Sequence, residues 1–374
     1  MAWEAARRVL AVRLDAMGDV VMTGPAIRAL AASRGAPQGA GLNTRGAPQG
    51  AGSDKGRTVT VLTSPGGAQA ARLLPGVDDV ICYEAPWTKA SQPRPGSAAL
   101  AMAARLRERC FDAAVIFTVY SQSPLPAALL CHLADIPLRL AHCRENPYQL
   151  LTDWLPEREP GALRRHEVRR QLDLVASLGC AVDDERLRLR IPETASRRVA
   201  ALLADLGPGP VVAVHPGASA PSRRWPAERF AALSRRLSGT GGCRIVFTGS
   251  AGERDLVESI RSAMGAPSCS HAGSLDLAGL AALLSRCDLL VANNTGPVHV
   301  AAAVGTPVLD LYALTNPQHT PWMVPCRVLS HDVACRWCYR SICPEGHHHC
   351  LCLVDADDAY EAACELLAAR GNAL

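Results

Sequence analysis

Short apolar runs alternate with helical patterns along the whole chain. The runs are nearly continuous in apolar residues and occupy 9–14, 59–62, 113–117, 211–214, 244–247, 289–291 and 308–311. Continuous apolar strands separated by helices predict parallel sheets that helices cover on both faces. The pattern starts again after Pro208-Gly209-Pro210, which is a plausible domain junction. We therefore predict an α/β protein with two Rossmann-like domains.

The expected domains cover 1–195 and 196–355, and a last helix over 356–374 is expected to pack back on the first domain. The segment 34–57 belongs to neither core, because Arg34–Gly41 recurs as Arg45–Gly52 in a run rich in Gly, Pro and Gln. A segment with so little apolar surface to bury is predicted to be a disordered surface insertion.

Three strand-to-helix turns carry the candidate chemistry. They are Asp15-Ala16-Met17-Gly18-Asp19, then His215-Pro216-Gly217-Ala218-Ser219 followed by Ser222-Arg223-Arg224-Trp225-Pro226, and then Asn293-Asn294-Thr295-Gly296-Pro297-Val298-His299. Such turns present backbone N–H groups and the positive end of a helix dipole, which suit an anionic oxygen. Any one of them alone is equally typical of an ordinary turn.

The three turns, in this order and at these separations, resemble glycosyltransferase family 9, whose best-known members are the ADP-heptose:lipopolysaccharide heptosyltransferases. The resemblance covers most of the chain, from about Val9 to the final helix. It implies the GT-B architecture, in which two Rossmann-like domains face one another across a cleft. It also implies inverting, metal-independent transfer of a heptose from a nucleotide-diphosphate donor, expected to be ADP-heptose. The acceptor would be a hydroxyl of a lipopolysaccharide core or other glycan, and no cofactor would be required.

Sugar transfer with inversion needs a general base and a group that stabilises the leaving diphosphate. Asp19 matches the family position that is assigned the base, although an Asp there is also typical of a helix N-cap. Asp15 is close enough to assist Asp19 or only to shape the turn. Arg223 stands where the family usually carries Lys, and it would neutralise phosphate oxygens. A solvated basic loop with Arg224 is the alternative.

The remaining expected site residues would hold the donor. Thr295 and Gly296 would bind the diphosphate, and His299 would reach the same phosphates or pack in the core. Glu253 would hold the ribose hydroxyls or act as an acid at a helix N-terminus. Asn294 stands where many family members have Asp, which leaves room for a different donor. The turns also place two further residues among the expected donor contacts, namely Gly18 and Ser219.

Basic residues cluster before an apolar helical pattern at Arg164, Arg165, His166, Arg169 and Arg170. This cluster would meet an anionic acceptor, but a solvated helix face is the commoner meaning of such a run.

Fifteen cysteines are spread through the strands and helices, for example Cys82, Cys110, Cys131, Cys180, Cys243 and Cys287. In a reducing cytosol most are expected to be small buried residues and not disulfides. The exception is a C-terminal group, Cys335, Cys338, Cys343 and Cys350, which lies close to three histidines. It offers enough ligands for a tetrahedral zinc site, but it lacks the second Cys-x2-Cys pair of a strong zinc motif. We expect no catalytic metal; a loop of reduced thiols, a structural zinc and a redox role stay open.

The net charge of +4 is too small to imply a nucleic-acid partner. It slightly favours an anionic donor or an acidic membrane surface. The N-terminus leads directly into the first strand without room for a signal peptide. We therefore expect a cytoplasmic protein, peripheral to the inner membrane at most. The alternatives are a transferase for another nucleotide sugar and acceptor, a non-catalytic nucleotide-sugar-binding protein and, more remotely, a nucleotide-sugar epimerase.

Overall fold

The computed structural model describes residues 2–33, 56–88, 93–161 and 164–371. The chain divides into two compact units, Met1–Glu185 and Arg186–Leu374. Each unit contains one six-stranded sheet in which every pair of neighbouring strands is parallel.

In the first unit the strands follow the order β3-β2-β1-β4-β5-β6. The strands are β1 Arg8–Arg13, β2 Thr58–Thr63, β3 Asp79–Cys82, β4 Ala113–Ile116, β5 Leu138–Cys143 and β6 Asp153–Pro156. The helices are α1 Met17–Met22, α2 Gly24–Ala32, α3 Ala68–Leu73, α4 Gly96–Glu108, α5 Leu125–Leu133 and α6 Glu167–Ala176. The strand order reverses between β1 and β4, and the carboxyl ends of strands at such a switch point are where open α/β sheets bind ligands.

The second unit repeats the plan with the order β12-β11-β10-β7-β8-β9, so its switch point lies between β10 and β7. The strands are β7 Val211–His215, β8 Arg244–Phe247, β9 Cys269–Ser270, β10 Leu289–Asn293, β11 Val308–Leu311 and β12 Cys326–Leu329. The helices are α7 Glu193–Leu203, α8 Ala227–Gly239, α9 Arg254–Met264, α10 Leu277–Leu284, α11 Gly296–Val304, α12 His349–Cys352 and α13 Ala356–Gly371.

The central strands are buried on both faces, which is why their sequences are continuously apolar rather than alternating. In β1 every residue after Arg8 is buried, and β1 pairs with β2 from Arg8 opposite Thr58 to Arg13 opposite Thr63. Each fully buried Val or Leu in such a layer contributes about 1.5–3 kcal/mol relative to an exposed side chain. This register brings the ends of the two strands level at one edge of the sheet.

The predicted fold class, two Rossmann-like domains with parallel sheets, is confirmed, and all seven apolar runs are strands. The sequence did not predict five strands: β3, β5, β6, β9 and β12. Four of these are short strands near or at a sheet edge. The fifth, β5, is interrupted by Arg139 and His142, which are buried because they hydrogen-bond to backbone carbonyls of Leu150 and Arg170.

Two predicted boundaries differ from the structure. The units meet at Glu185–Arg186 rather than after residue 195. The last helix, α13, was expected to pack on the first domain, but it belongs to the second unit, because Ala359, Ala363 and Leu366 bury their apolar face in that unit's core.

The predicted insertion over 34–57 lies outside the described residues except for its last two. Of these, Arg57 is buried and donates hydrogen bonds to the carbonyl oxygens of Trp3 and Ala6. No helix in the described ranges is long and apolar enough to cross a membrane.

Candidate active site

A cavity of about 870 Å³ opens in the first unit at the carboxyl ends of β1, β2 and β4, which is the switch point of that sheet. Asp15 and Asp19 lie in its wall. The other residues that line it include Leu14, Ser64, Glu84, Trp87, Thr88, Phe117, Thr118, Gln122 and Ser123. A mixed polar and apolar wall of this kind suits a sugar, whose ring faces are apolar and whose hydroxyls need hydrogen-bond partners.

Arg13, at the end of β1, organises the charges of this cavity. Its side chain is fully buried and contacts three carboxylates. Its Nη1 donates to Glu167 Oε1 at 3.0 Å, its Nη2 to Asp19 Oδ1 at 3.2 Å, and its Nε lies 2.9 Å from Asp15 Oδ2. One buried cation therefore pairs with three acids, and two of these acids, Asp15 and Asp19, line the cavity.

Asp19 is the third residue of α1 and not its N-cap, which is Ala16. The alternative of a capping Asp is therefore wrong. Its carboxylate is 24% exposed and held by Arg13, whereas Asp15, besides its ion pair with Arg13, accepts a hydrogen bond from Gln122 Nε2 at 2.7 Å. Gly18 is buried in the same helix. The geometry presents Asp19 to the cavity and fixes Asp15 beside it.

Burial dominates the electrostatics of the two acids beside Asp19. Burial raises the pKa of Asp15, Arg13 opposes the rise, and Asp19 adds to it. The pKa of Glu167 is also raised, first by its complete burial, with Arg13 and Arg170 opposing. Burial also lowers the pKa of Arg13, but the three carboxylates outweigh burial and raise it. Arg13 therefore stays charged, while Asp15 and Glu167 are weaker acids than exposed carboxyls.

The basic cluster around α6 is only in part a solvated face, since Arg164 is exposed whereas Arg170 is buried. Arg170 is buried and bonds Glu157, and Arg165 bonds Glu159 and Asp173. Arg169 pairs with Glu185, and the His166 ring caps α6 by accepting a hydrogen bond from the Val168 N–H. Arg170 therefore pairs inside the first unit, and the charges of Arg165 and Arg169 are matched by acids of the same unit.

In the second unit, Asn293 joins the two turns at the switch point. It ends β10 and is fully buried. Its Oδ1 accepts from the Trp225 N–H at 3.0 Å, and its Nδ2 donates to the Pro216 carbonyl at 2.8 Å. Trp225 is buried and its indole N–H bonds the Val354 carbonyl at 2.9 Å. The loop that carries Arg223 is thereby fixed to the end of β7.

The expected diphosphate turn forms the N-terminus of α11. Thr295 is its N-cap residue and Gly296 its first helical residue. His299 lies one turn into the helix and is buried. Asn294 is also buried, and its amide bonds both polar groups of the Ala313 backbone, donating to the carbonyl at 3.0 Å and accepting from the N–H at 3.3 Å. Asn294 therefore braces the loop after β11.

Arg223 ends a short 3₁₀ turn, Pro221–Arg223, and lies near the interior of the second sheet. Its Nε is buried without a hydrogen-bond partner among the described residues. Asp310, in β11, is fully buried, and neither of its carboxyl oxygens has such a partner in that part of the chain. Burial raises the pKa of Asp310 well above its ordinary value, and Arg223 opposes this rise.

Glu253 lies against the end of β7. It forms a capping box with Ser250, whose N–H donates to Oε2 at 2.7 Å. A Cβ on Gly217 would lie 2.0 Å from Glu253 Oε1, so a larger residue there would displace the Glu253 carboxylate. Burial raises the pKa of Glu253, but the bonds from Ser250 and the charges of nearby basic residues outweigh it and lower the pKa. Ser219, in contrast, is exposed in the loop after β7.

All fifteen cysteines are free, and five are buried. Cys82 and Cys110 are exposed and the other eight are partly buried, so the expectation that most cysteines are buried is wrong. The C-terminal thiols of Cys335, Cys338, Cys343 and Cys350 line one small cavity near Ser222. Among the described residues, no group of three or more acidic, His or Cys side chains has metal-ligand spacing.

Sequence reasoning missed several of these groups. Arg13 and Asp310 each end or interrupt an apolar run, and a charge inside a predicted buried strand is the signal that points to them. Glu167 gives no local signal, because its partner Arg13 lies 154 positions away. Asn293 bonds backbone groups and Gln122 bonds the Asp15 carboxylate, and only the tertiary structure creates these contacts.

Comparison with known proteins identifies the family. The model of glycosyltransferase family 9 (heptosyltransferase) matches residues 99–349. Lipooligosaccharide heptosyltransferase 2 of Haemophilus influenzae is 36% identical over 121 residues, which are 31% of this chain and 35% of that protein. Lipopolysaccharide heptosyltransferase 2 of Escherichia coli is 28% identical over 229 residues, 58% of this chain and 64% of that protein. The chain thus matches less than two thirds of the length of these relatives.

Two solved structures share the fold. A glycosyltransferase family 9 protein from Veillonella parvula superposes with a TM-score of 0.79 at 22% identity, over 99% of this chain and 100% of that one. The ADP-heptose lipopolysaccharide heptosyltransferase II of E. coli gives a TM-score of 0.71 at 21% identity, over 97% and 99% of the chains. Since the family model covers more than half of the sequence, the chain belongs to glycosyltransferase family 9, the heptosyltransferase family.

Proposed function

We propose that the protein is an inverting, metal-independent glycosyltransferase that moves a heptose from ADP-heptose to a hydroxyl of a lipopolysaccharide core or related glycan. Asp19 removes the proton of the acceptor hydroxyl. The acceptor oxygen then forms a bond to the anomeric carbon, while the bond from that carbon to the diphosphate breaks and ADP leaves.

The position of Asp19 is the observation that carries the proposal. Its carboxylate lies in the wall of the cavity at the switch point of the first sheet, held by Arg13 but partly exposed. A general base must reach the proton that it abstracts, and this cavity is large enough for a sugar ring. Arg13 also pairs with Asp15 and Glu167, so it fixes the position of Asp19 without pairing with Asp19 alone. The Asp19 carboxylate can therefore still accept a proton.

The second unit would hold the donor. Thr295 and Gly296, at the N-terminus of α11, would bind the diphosphate through backbone N–H groups. Arg223 would neutralise the charge that develops as the bond to the diphosphate breaks. Glu253, beside Gly217, remains the candidate for the ribose hydroxyls, with His299, Ser219 and Gly18 as further contacts.

The acceptor is expected to be lipid-linked, and this places the proposed reaction at the cytoplasmic face of the inner membrane, with peripheral contact only. A nucleic-acid partner is not proposed. The family supports the lipid-linked acceptor, and the small net charge of +4 is the reason for leaving out a nucleic-acid partner.

The test is the release of ADP from ADP-heptose in the presence of a heptose-deficient lipopolysaccharide acceptor. Asp19→Ala and Asp19→Asn are expected to lower kcat by about 10²–10⁴-fold, the usual contribution of a general base. Asp135→Asn is the matched control, because Asp135 is an exposed acid of the same unit that pairs with Arg107 outside the cavity. Turnover by Asp19→Ala at the level of this control would sink the mechanism.

Calorimetry with ADP, UDP, GDP and their sugar conjugates identifies the donor. Selective binding of ADP and ADP-heptose supports heptosyl transfer, whereas a preference for UDP or GDP keeps the transferase and discards the heptose. Binding without transfer to any acceptor would instead favour a nucleotide-sugar-binding protein.

A further inference from the structure

Four thiols converge in the C-terminal loop of the second unit. Cys335, Cys338 and Cys343 lie in irregular chain, and Cys350 lies in α12. All four line one cavity of about 30 Å³, which is the space of a single water molecule or ion. The proposed transfer reaction uses none of them.

The backbone of this loop is also unusually constrained. Three of its non-glycine residues have positive φ angles: Trp337 at 60°, Tyr339 at 54° and His348 at 54°. Bulky residues rarely adopt this conformation, and it persists only where the surroundings impose it. The loop has little apolar burial of its own, since its thiols are only half-buried. Polar contacts shape part of it, since the Tyr339 N–H donates to the Leu314 carbonyl and the Tyr339 hydroxyl accepts from the Asn316 N–H.

We propose that Cys335, Cys338, Cys343 and Cys350 bind one thiolate-preferring divalent metal ion, zinc or ferrous iron, as a structural site. Four sulfur ligands in tetrahedral array select these ions over magnesium or calcium. On binding, each thiol gives up its proton to solvent and the ion exchanges its water ligands for the four thiolates. His347, whose Nε2 lies 3.9 Å from the Cys335 sulfur, would donate a hydrogen bond to that thiolate.

The thiols must move closer together to bind an ion. In the described part of the chain no three such side chains already have metal-ligand spacing. Metal sites are commonly completed only as the ion binds, and binding free energy then becomes folding free energy of the loop. Metal binding is thus expected to contract the loop and to stabilise it.

The site would act on the rest of the unit through Ser222. The Ser222 hydroxyl donates to the Arg340 carbonyl at 2.6 Å, and the Ser222 N–H donates to the Ser341 carbonyl at 3.1 Å. The ring of His348 bonds the Ser222 carbonyl at 2.6 Å. Ser222 immediately precedes Arg223, so a metal that fixes the loop would also fix the turn that presents Arg223.

The first experiment measures metal in the full chain, without an affinity tag, purified under reducing conditions. Elemental mass spectrometry is expected to find one zinc or iron per chain and to identify which. Replacement by cobalt(II) is expected to give thiolate-to-cobalt charge-transfer bands and the visible bands of tetrahedral cobalt. Reduced protein that contains no metal and gives no cobalt bands would overturn the proposal, as would a disulfide among the four cysteines in freshly purified protein.

Matched variants locate the site. Cys338→Ser is expected to lose the metal, whereas Cys352→Ser is expected to keep it, because Cys352 lies in α12 next to the cluster but does not line the cavity. Should Cys338→Ser fail to fold, Cys343→His supplies the alternative, since it keeps a ligand and is expected to retain cobalt with a shifted spectrum. Full metal content in both Cys338→Ser and Cys343→Ser would contradict the assignment.

A last arm tests the link to Arg223, and this arm alone depends on the proposed function. Removing the metal with a chelator is expected to raise the KM for the donor several-fold more than it lowers kcat. An unchanged KM after removal of the metal would overturn the positioning role and leave the metal site itself intact, which distinguishes the two failures.

Discussion

The two switch points of the molecule treat buried charge in opposite ways. In the first unit, Arg13 contacts three carboxylates, and Arg170 pairs with Glu157 nearby. In the second unit, the fully buried carboxyl of Asp310 and the buried Nε of Arg223 have no hydrogen-bond partners among the described residues. Both sites come from the same strand topology, so the fold alone does not determine how charge is arranged.

This difference fits two separate tasks, the positioning of a general base in the first unit and the binding of a diphosphate in the second. A network whose charges are already paired holds its geometry whether or not a substrate is bound, as a general base requires. A cation with an unused donor gains a partner only when an anion arrives, which favours binding of a diphosphate and the charge that develops on it. The predictions below test this contrast in order of expected size.

The largest effect is expected from Arg13→Met. The substitution leaves Glu167 and Asp15 without their cation in the interior, and breaking a buried pair from one side typically costs about 3–5 kcal/mol. Urea unfolding measures the loss in the free energy of unfolding. The control is Arg197→Met, which removes an exposed pair with Glu193 and is expected to cost only about 0.3–0.5 kcal/mol. Equal losses in the two variants would show that the ion pairs of Arg13 do not stabilise the first unit more than an exposed pair does.

Arg223→Gln is expected to affect catalysis more than stability. The lost cation is predicted to lower kcat/KM for the donor by about 10²-fold, comparable to the removal of one donor that stabilises a developing oxyanion. The neighbouring Arg224→Gln is the control, because Arg224 is exposed and its guanidinium bonds the Ala218 carbonyl instead. Steady-state kinetics with ADP-heptose decides, and equal kinetic losses in both variants would favour a general basic loop.

The strands and turns of the candidate sites follow from the sequence, but the charge pairing does not. Apolar runs identify β1 and β11, since continuous burial leaves a direct mark on composition. The pairing of Arg13 with Glu167 depends on where α6 packs, and no sequence pattern near Arg13 predicts it. For the same reason the cations of α6 looked solvated, although Arg170 is buried against Glu157. Local patterns predict elements, whereas pairing is a property of their packing.

Asn294→Asp tests whether charge belongs at the position where many family members have Asp. The Asn294 amide donates to the Ala313 carbonyl, and a carboxylate cannot, so the carbonyl loses its partner at a cost of about 1–3 kcal/mol. Asn146→Asp is the matched control, since the Asn146 side-chain oxygen accepts from the Tyr148 N–H and a carboxylate can accept the same bond. Thermal and urea unfolding measure both. Unchanged stability of Asn294→Asp with altered donor affinity would instead give this position a direct role in binding.

At acidic pH the smallest effect is expected from Asp310→Asn, and this effect grows as the pH rises. Burial raises the pKa of Asp310 in the folded protein above its value in the unfolded chain, so the folded state holds this proton more tightly. Stability from this group is therefore full at acidic pH, and it falls as pH rises above the range in which an exposed Asp ionises. The slope is about 1.4 kcal/mol per pH unit until the folded-state pKa is reached. Asn cannot ionise, so the variant is expected to match the parent protein near pH 4 and to lose less stability on going to pH 8. Urea unfolding at several pH values measures this, and parallel curves for the two proteins would mean that Asp310 is paired after all, which would erase the contrast between the two switch points.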